Sequence, residues 1–398
     1  MQQPAKIVVV SQHYPPDHST TAAIMAAISG HLASEAPVLM LSGTPGSANQ
    51  EAIGSGRPAV VEIRNRVAAK AALVRRATAE IFFTIRVFVA LLWRLRAGDV
   101  VLTVTAPFML PYAVAAAAMC RRAHSALIMH DLFPDVLVMA GILKPSSFVA
   151  RMIRGANALM FHLLSAVIII GRDTEALLLR YKGLTRERIC FIPNWATLAP
   201  GVRPIDPANP YRRSRARFVV GLSGNLGFTH DPDIVFEAAR ALRDDSDIHF
   251  MLSGWGIGFE RLKQMQAGAN LPNVSLVERV PEQDLEAFLS AADAWLIPYR
   301  KDLAGVSVPS RFYNLLAIGR PVILVSEANA EAALTVSEHN LGWVVEPGKS
   351  DDLASAVRAA SASVDSSMRK RAVTIAQRYN FASAMGSYAE LMRKLLRS

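Results

Sequence analysis

The chain has 398 residues, 52% of them hydrophobic and only 19% charged, with a mean hydropathy of +0.25, so it can bury a large core and is expected to fold as two domains. Two cysteines, Cys120 and Cys190, exclude a disulfide framework and a structural zinc site, are expected to be small core residues and suit a reducing compartment. The net charge of +10 is uneven: residues 1–200 hold 20 Lys and Arg against 11 Asp and Glu, whereas residues 201–398 hold 23 against 22, so the basic surplus belongs to the first half.

In chain order, Lys6 and the four apolar residues Ile7 to Val10 precede polar "SQH", too short a run for a secretory signal. Continuous apolar runs at 6–10, 38–41, 100–104, 126–130 and 166–170 predict parallel strands buried on both faces, with helices between them. The segment 64–96 is rich in arginine and large apolar residues. It reads either as an interfacial helix pair or as a core-packed helical hairpin with basic outer faces. Whether Phe82, Phe83, Phe88 and Trp93 point outward beside Arg75, Arg76, Arg86 and Arg94 separates the two. Its most apolar stretch, 81–93, is broken by Arg86 and is shorter than the roughly 20 residues of a spanning helix, so no membrane crossing is expected.

The β-then-α pattern restarts after residue 215 with "RFVVGLSG", "IHFMLSG", "VSLVERV", "AWLIPY", "PVILVS" and "GWVVEP". Between the two sets, Pro200, Pro204, Pro207 and Pro210 deny helix and central strand, which puts the boundary there. The predicted fold class is α/β: two Rossmann-like doubly wound domains, 1–200 and 201–380, facing a cleft, followed by a helix at 381–398.

Three features of the second half suit phosphate chemistry. "GLSGNLGFTHD" brings Gly221, Gly224 and Gly227 ahead of a helix near Asp231, either to let amides approach a phosphate or simply to close a turn. "LSGWGIGFERL" repeats the device with Gly254, Gly256 and Gly258. In "VPSRFYNLLAIGRPVI", "VPS" is expected to cap a helix whose first turn holds Arg311, a guanidinium able to pair bidentately with a diphosphate or else merely a solvated helix-start residue. "DDSD" at 244–247 reads as a solvated turn, and no histidine spacing suggests a metal site.

Together with "YPPD", "HDLFPDV", "ICFIPNWA" and "LGWVVEPG", these motifs follow the order found in family 4 retaining glycosyltransferases of the GT-B fold, and the chain resembles the colanic-acid-type exopolysaccharide and O-antigen sugar transferases over nearly its whole length. The resemblance implies a nucleotide-diphosphate sugar held by the second domain and an acceptor presented by the first. It also implies a C-terminal helix that packs back on the first domain. Carried over, Gly224, Asn225, Leu226, His230, Gly254, Val308, Pro309 and Ser310 would line the donor, with Arg311 on the diphosphate and Arg279 and Val280 at the nucleobase. His130 and Asp131 would face the transferred sugar, while His18, Ser19 and Thr20 would contact the acceptor or cap the following helix. Where relatives carry two glutamates, this chain has Val306 and Asn314; Asn314 could still bond the ribose through its amide.

The function this implies is transfer of a hexose or deoxyhexose, with retention and without a metal or cofactor. The donor would be a UDP- or GDP-sugar and the acceptor a polyprenyl-diphosphate-linked glycan of exopolysaccharide or O-antigen synthesis. The enzyme would be peripheral at the cytoplasmic membrane face, held through residues 64–96. Alternatives are a lipid-head-group transferase and a catalytically silent sugar-nucleotide-binding scaffold at the membrane. Nucleic-acid binding is not expected, because the basic residues are interleaved with bulky aliphatics rather than with stacking aromatics.

Overall fold

The computed structural model describes residues 4–17, 19–43, 56–65, 73–139, 141–212 and 214–398, the side chains of 73–77 excepted. The chain divides into two compact units: Met1–Val136, Lys144–Ile192 and Ala382–Ser398 form unit 1, and Leu137–Leu143 with Pro193–Phe381 form unit 2.

Unit 1 is built on a parallel sheet of β1 (Ile7–Ser11), β2 (Val38–Ser42), β3 (Ala59–Glu62), β4 (Val100–Val104), β5 (His124–Met129), β6 (Ala166–Ile169) and β7 (Ile189–Phe191), in the order β3-β2-β1-β4-β5-β6-β7. The apolar runs bury both faces, as continuous Val/Ile/Leu strands must. Two strands go beyond the sequence reading. β3 and β7 lie at opposite edges, are only four and three residues long, and are half exposed, so their apolar signal is weak.

The helices of this unit are α1 (Thr20–Ala33), α2 (Leu73–Arg94), α3 (Leu110–Arg121), α4 (Asp135–Met139), α5 (Phe148–Leu163) and α6 (Asp173–Leu178). The steps from β1 to β2 and from β2 to β3 run one way along the sheet, and the steps from β3 to β4 onward run the other. Right-handed crossovers therefore put α1 on one face and α2, α3 and α5 side by side on the opposite one. The described part of 64–96 holds one 22-residue helix, α2, and residues 66–72 of the expected helix pair or hairpin lie outside the described residues. Cys120 is also corrected: it is exposed at the end of α3, and only Cys190 is partly buried.

Unit 2 repeats the plan with β8 (Phe218–Asn225), β9 (Ile248–Trp255), β10 (Val274–Val277), β11 (Ala294–Pro298), β12 (Val322–Val325) and β13 (Gly342–Val345), in the order β10-β9-β8-β11-β12-β13. Its helices are α7 (Pro232–Ala241), α8 (Ile257–Ala269), α9 (Leu285–Ser290), α10 (Arg311–Ala317), α11 (Glu331–His339), α12 (Ser350–Ser363) and α13 (Ser366–Ala376). α14 (Phe381–Arg397) returns to unit 1 from Ala382 onward, where Met385, Tyr388, Met392 and Leu395 are buried and Arg393 pairs with Glu35 at 3.6 Å.

The proline-rich stretch is bound to unit 2 rather than being a loose tether. Arg212 pairs with Asp293 at 2.9 Å, and buried Arg320 donates to the carbonyls of Arg203 at 2.7 Å and Ser290 at 2.9 Å. These carbonyls take the two terminal nitrogens of a guanidinium that would otherwise be costlier to bury.

Candidate functional site

In a doubly wound sheet, ligands bind beyond the carboxyl ends of the strands, where the strand order reverses. In unit 2 that point is β8, flanked by β9 and β11. The β8–β9 register pairs Gly224 with Gly254 and Asn225 with Trp255, so the two glycine-bearing exits lie against each other. A Cβ at Gly254 would collide with the Gly224 carbonyl oxygen, and Gly224 itself has φ +136°, so both positions require glycine.

Over this platform sits Arg311. Its guanidinium donates to the Ser223 hydroxyl, its Cζ is 5.4 Å from the Trp255 ring centroid, and a Cβ on Gly224 would come within 3.3 Å of its Nε. Arg279 caps the same indole at 4.6 Å. Neither arginine has a carboxylate partner among the described residues. Burial and the neighbouring Arg279 charge lower the Arg311 pKa to about 10, which leaves it a cation at neutral pH. Two guanidiniums held on one aromatic ring, without a carboxylate partner among the described residues, have the chemistry to pair with a multiply charged anion.

Other expected donor residues divide. Asn225 and Ser310 are exposed beside the site, while Val280, Val308 and Pro309 are partly buried around it. Ser310 is αR at φ −60° and ψ −30° and makes no capping bond, so it does not cap α10 as expected. Leu226 is buried, its N–H donating to the Trp255 carbonyl and its carbonyl accepting the Gly258 N–H, both at 2.8 Å; its backbone braces the two loops instead of lining a ligand.

His230 is no substitute cation. Burial lowers its pKa to about 4, its Nδ1 lies 3.0 Å from the Thr229 hydroxyl, and its ring tilts against Tyr299 with centroids 5.0 Å apart. It lines a cleft of about 360 Å³ together with Gly227, Phe228, Ile257, Arg261 and Arg300.

Asn314 is the clearest departure. Its Oδ1 accepts the N–H groups of Thr197 at 2.7 Å and Leu198 at 3.1 Å, and its Nδ2 donates to the Thr197 hydroxyl at 3.0 Å. The amide therefore fastens the 197–198 segment to α10 rather than presenting itself to a ribose. Val306 is buried in the core.

In unit 1, His130 follows β5, and its N–H and that of Asp131 both donate to Thr105 Oγ1, at 3.3 and 3.2 Å. The His130 Nε2 is buried without a hydrogen-bond partner among the described residues, and burial lowers the ring pKa to about 4. Burial raises the Asp131 pKa. Behind the loop, Asn157 receives the Tyr112 hydroxyl at 2.5 Å and donates to the Phe133 carbonyl at 2.6 Å. His130 is thus a neutral imidazole whose Nε2 has no partner among the described residues, its backbone N–H fixed by Thr105 and the following Phe133 by Asn157.

Sequence reasoning missed Thr105 and Trp255. Trp255 acts through strand register and Thr105 through its bonds to the loop that follows β5, and each thereby lies beside a motif distant in the chain. Of the expected acceptor residues, His18 lies outside the described residues, and Ser19 caps α1 by accepting the Ala22 N–H at 3.2 Å. Thr20 is exposed. No cluster of metal-ligating side chains occurs among the described residues. Asp245 Oδ1 accepts the Asp247 N–H at 3.2 Å in an exposed turn.

On α2, Phe82 and Trp93 are 61% and 83% exposed, Phe83 is buried and Phe88 partly so; Arg86 is exposed and Arg94 partly buried. Ile81, Ile85 and Val89 complete an outward apolar stripe at helical spacing. No described helix is long and apolar enough to cross a membrane.

Residues 217–363, from the approach to β8 through the end of α12, match a protein family described as Glycosyl transferases group 1. The chain is 28% identical over 278 residues to "Probable glycosyltransferase WbjE" of Pseudomonas aeruginosa, an alignment covering 69% of each protein. It is 29% identical over 185 residues, 45% of each, to WcaI of Escherichia coli (strain K12), a protein named for colanic acid biosynthesis glycosyl transfer. Among solved structures it resembles HepE of Anabaena in complex with UDP and glucose, with a TM-score of 0.68 at 16% identity, covering 98% of this chain and 100% of that one. It also resembles WaaG, a glycosyltransferase involved in lipopolysaccharide biosynthesis, with a TM-score of 0.65 at 14% identity, covering 97% and 99%. Residues 217–363 are thus a glycosyl transferases group 1 domain, and the chain that carries them is a glycosyltransferase of GT-B fold.

Proposed function

We propose that the protein is a family 4 retaining transferase that moves a hexose or deoxyhexose from a UDP- or GDP-sugar to a polyprenyl-diphosphate-linked glycan in exopolysaccharide or O-antigen synthesis. The observation that carries this reading is the pair Arg279 and Arg311 on Trp255, beside glycine exits that admit a diphosphate. The names of WcaI and WaaG support the pathway class, that of WbjE supports glycosyl transfer, and the UDP complex of HepE supports the donor class.

As the bond from sugar C1 to the diphosphate oxygen breaks, negative charge grows on that oxygen. Arg311, Arg279 and the loop N–H groups stabilise it by preorganised charge, and this scheme needs no metal. The departing phosphate oxygen takes the proton of the acceptor hydroxyl, whose oxygen bonds C1 on the face just vacated. Configuration is thereby retained. Neutral His130 offers its Nε2 to a sugar hydroxyl, while protonation of Asp131, favoured by burial, would let it donate. The exposed stripe of α2 with Arg86 supports peripheral association of 64–96 with the cytoplasmic face of the membrane.

The test is incubation of purified protein with UDP- and GDP-sugars and lipid-linked acceptor, followed by mass analysis of the lipid product and assignment of its anomeric configuration. An extended product with the donor's configuration supports the reading. An inverted linkage refutes the retaining chemistry, glycosylation of phosphatidylinositol alone moves the acceptor to a lipid head group, and no product with any donor favours a silent scaffold.

A further inference from the structure

Helix α5 starts at a Ser147 cap whose hydroxyl accepts the Ala150 N–H at 3.2 Å, and it buries Ala150, Ile153, Met160 and Phe161 beneath it. The opposite stripe of an ordinary surface helix would be polar. Here it carries Phe148, Met152 and Leu159, exposed by 72%, 58% and 63%, at positions i, i+4 and i+11, with Gly155 and Ala156 between them. Such a contiguous apolar face marks an interaction surface.

Charge identifies the occupant. Residues 64–163, which include α2, α3 and α5, contain thirteen Lys and Arg against four Asp and Glu, a net of +9, equal to the whole surplus of residues 1–200. Two of the four acids are already engaged, Asp99 with Lys6 at 2.7 Å and Asp135 with Arg154 at 3.5 Å. Arg151 on α5, Arg86 on α2 and Arg121 at the end of α3 are exposed. A second copy of the chain would bring the same positive charge against this face, a costly juxtaposition. An anionic phospholipid surface offers both the apolar layer and the opposite charge.

We infer that α5 is a second lipid-contact element, so that unit 1 rests on an anionic bilayer through α2 and α5 together. The inference rests on the membrane reading proposed for α2 and deepens it. One helix lying in an interface can roll about its own axis, whereas two helices on the same sheet face fix the orientation of the unit.

The experiment is co-sedimentation of the full chain with vesicles of phosphatidylcholine alone or mixed with phosphatidylglycerol. Wild type is compared with F82S/W93S and with F148S/M152S/L159S, each checked by thermal melting. All five side chains are exposed, so native melting is expected. Wild type should bind the anionic vesicles far better than the neutral ones, with binding weakened by salt, and each variant should lose about tenfold or more in partitioning. If the α5 variant binds like wild type while the α2 variant fails, the inference is overturned and the α2 reading stands. If wild type itself does not bind, both fall. If wild type is a dimer in light scattering and the α5 variant a monomer, a second copy covers α5 and the inference is overturned.

Discussion

The two sheets share one strand permutation, β3-β2-β1-β4-β5-β6 in unit 1 and β10-β9-β8-β11-β12-β13 in unit 2, yet they are finished differently. At the exit of β8 stand Gly224 and Asn225, and the paired exit of β9 brings Gly254 and Trp255 alongside, which leaves backbone open beneath two arginines. The exit of β1 has no glycine. There Ser11 Oγ donates to the His13 carbonyl at 2.7 Å and His13 Nδ1 lies 2.6 Å from Asp17 Oδ2, so side chains fill the corresponding place. Unit 1 instead displays apolar and basic side chains on the outer faces of α2 and α5. A shared topology thus carries paired arginines over glycine strand exits in one unit and exposed apolar helix stripes in the other, because chemistry resides in strand exits and outer helix faces rather than in the fold.

The sharpest way to break this contrast is Arg311→Ala. Loss of the buried cation should lower kcat/KM about 10²- to 10³-fold with native melting retained, and Arg311→Lys should recover only part of that, lacking the planar fork. Steady-state kinetics within threefold of wild type would remove Arg311 from the diphosphate.

Next comes Gly254→Ala, which pushes a methyl group into the Gly224 carbonyl. It should cost about 1–3 kcal/mol in denaturant unfolding and weaken nucleotide binding in parallel. Full stability would mean that the two exits are not held as tightly as described.

Asn314→Ala distinguishes fastening from ligand contact. It leaves the Thr197 and Leu198 N–H groups without their acceptor, so it should destabilise by about 1–3 kcal/mol while nucleoside diphosphate affinity stays within about threefold. The opposite pattern, native stability with affinity lost, would restore a ribose contact.

The smallest effect concerns His130. Its folded pKa of about 4 lies below the usual value near 6.5, so the unfolded chain binds the proton first. The stability it contributes is present above pH 6.5 and is lost as pH falls toward 4. His130→Gln should therefore melt much like wild type at pH 8 and lose less on acidification. Identical pH slopes for the two proteins would argue against a buried neutral imidazole.

Much of this was legible in the sequence, and the limits were physical. The apolar runs of β1, β2, β4 and β5 announce strands because both faces are buried, whereas β3 and β7 are short, half-exposed edges with little signal. Arg311 could be singled out because a basic residue at a helix start behind "VPS" is a local pattern. Trp255 and Thr105 could not, since their importance comes from the β8–β9 register and from the loop that follows β5. Ser19, Leu226 and Asn314 share one feature that the sequence does not display: each has polar groups suited to a ligand, but the protein's own backbone engages them, for Ser19 through the helix cap that the sequence offered as one of two readings. Competition of that kind appears only when the chain is folded.

The measurement that bears most directly on the account is calorimetric titration of UDP, GDP, dTDP, CMP and ADP into wild type and Arg311→Ala. The account predicts that UDP or GDP binds wild type and that this binding disappears in the variant while its melting temperature is unchanged. Equal binding by both proteins, or none of the diphosphates binding wild type, would contradict the assignment of the Arg279, Trp255 and Arg311 cluster as the donor diphosphate site.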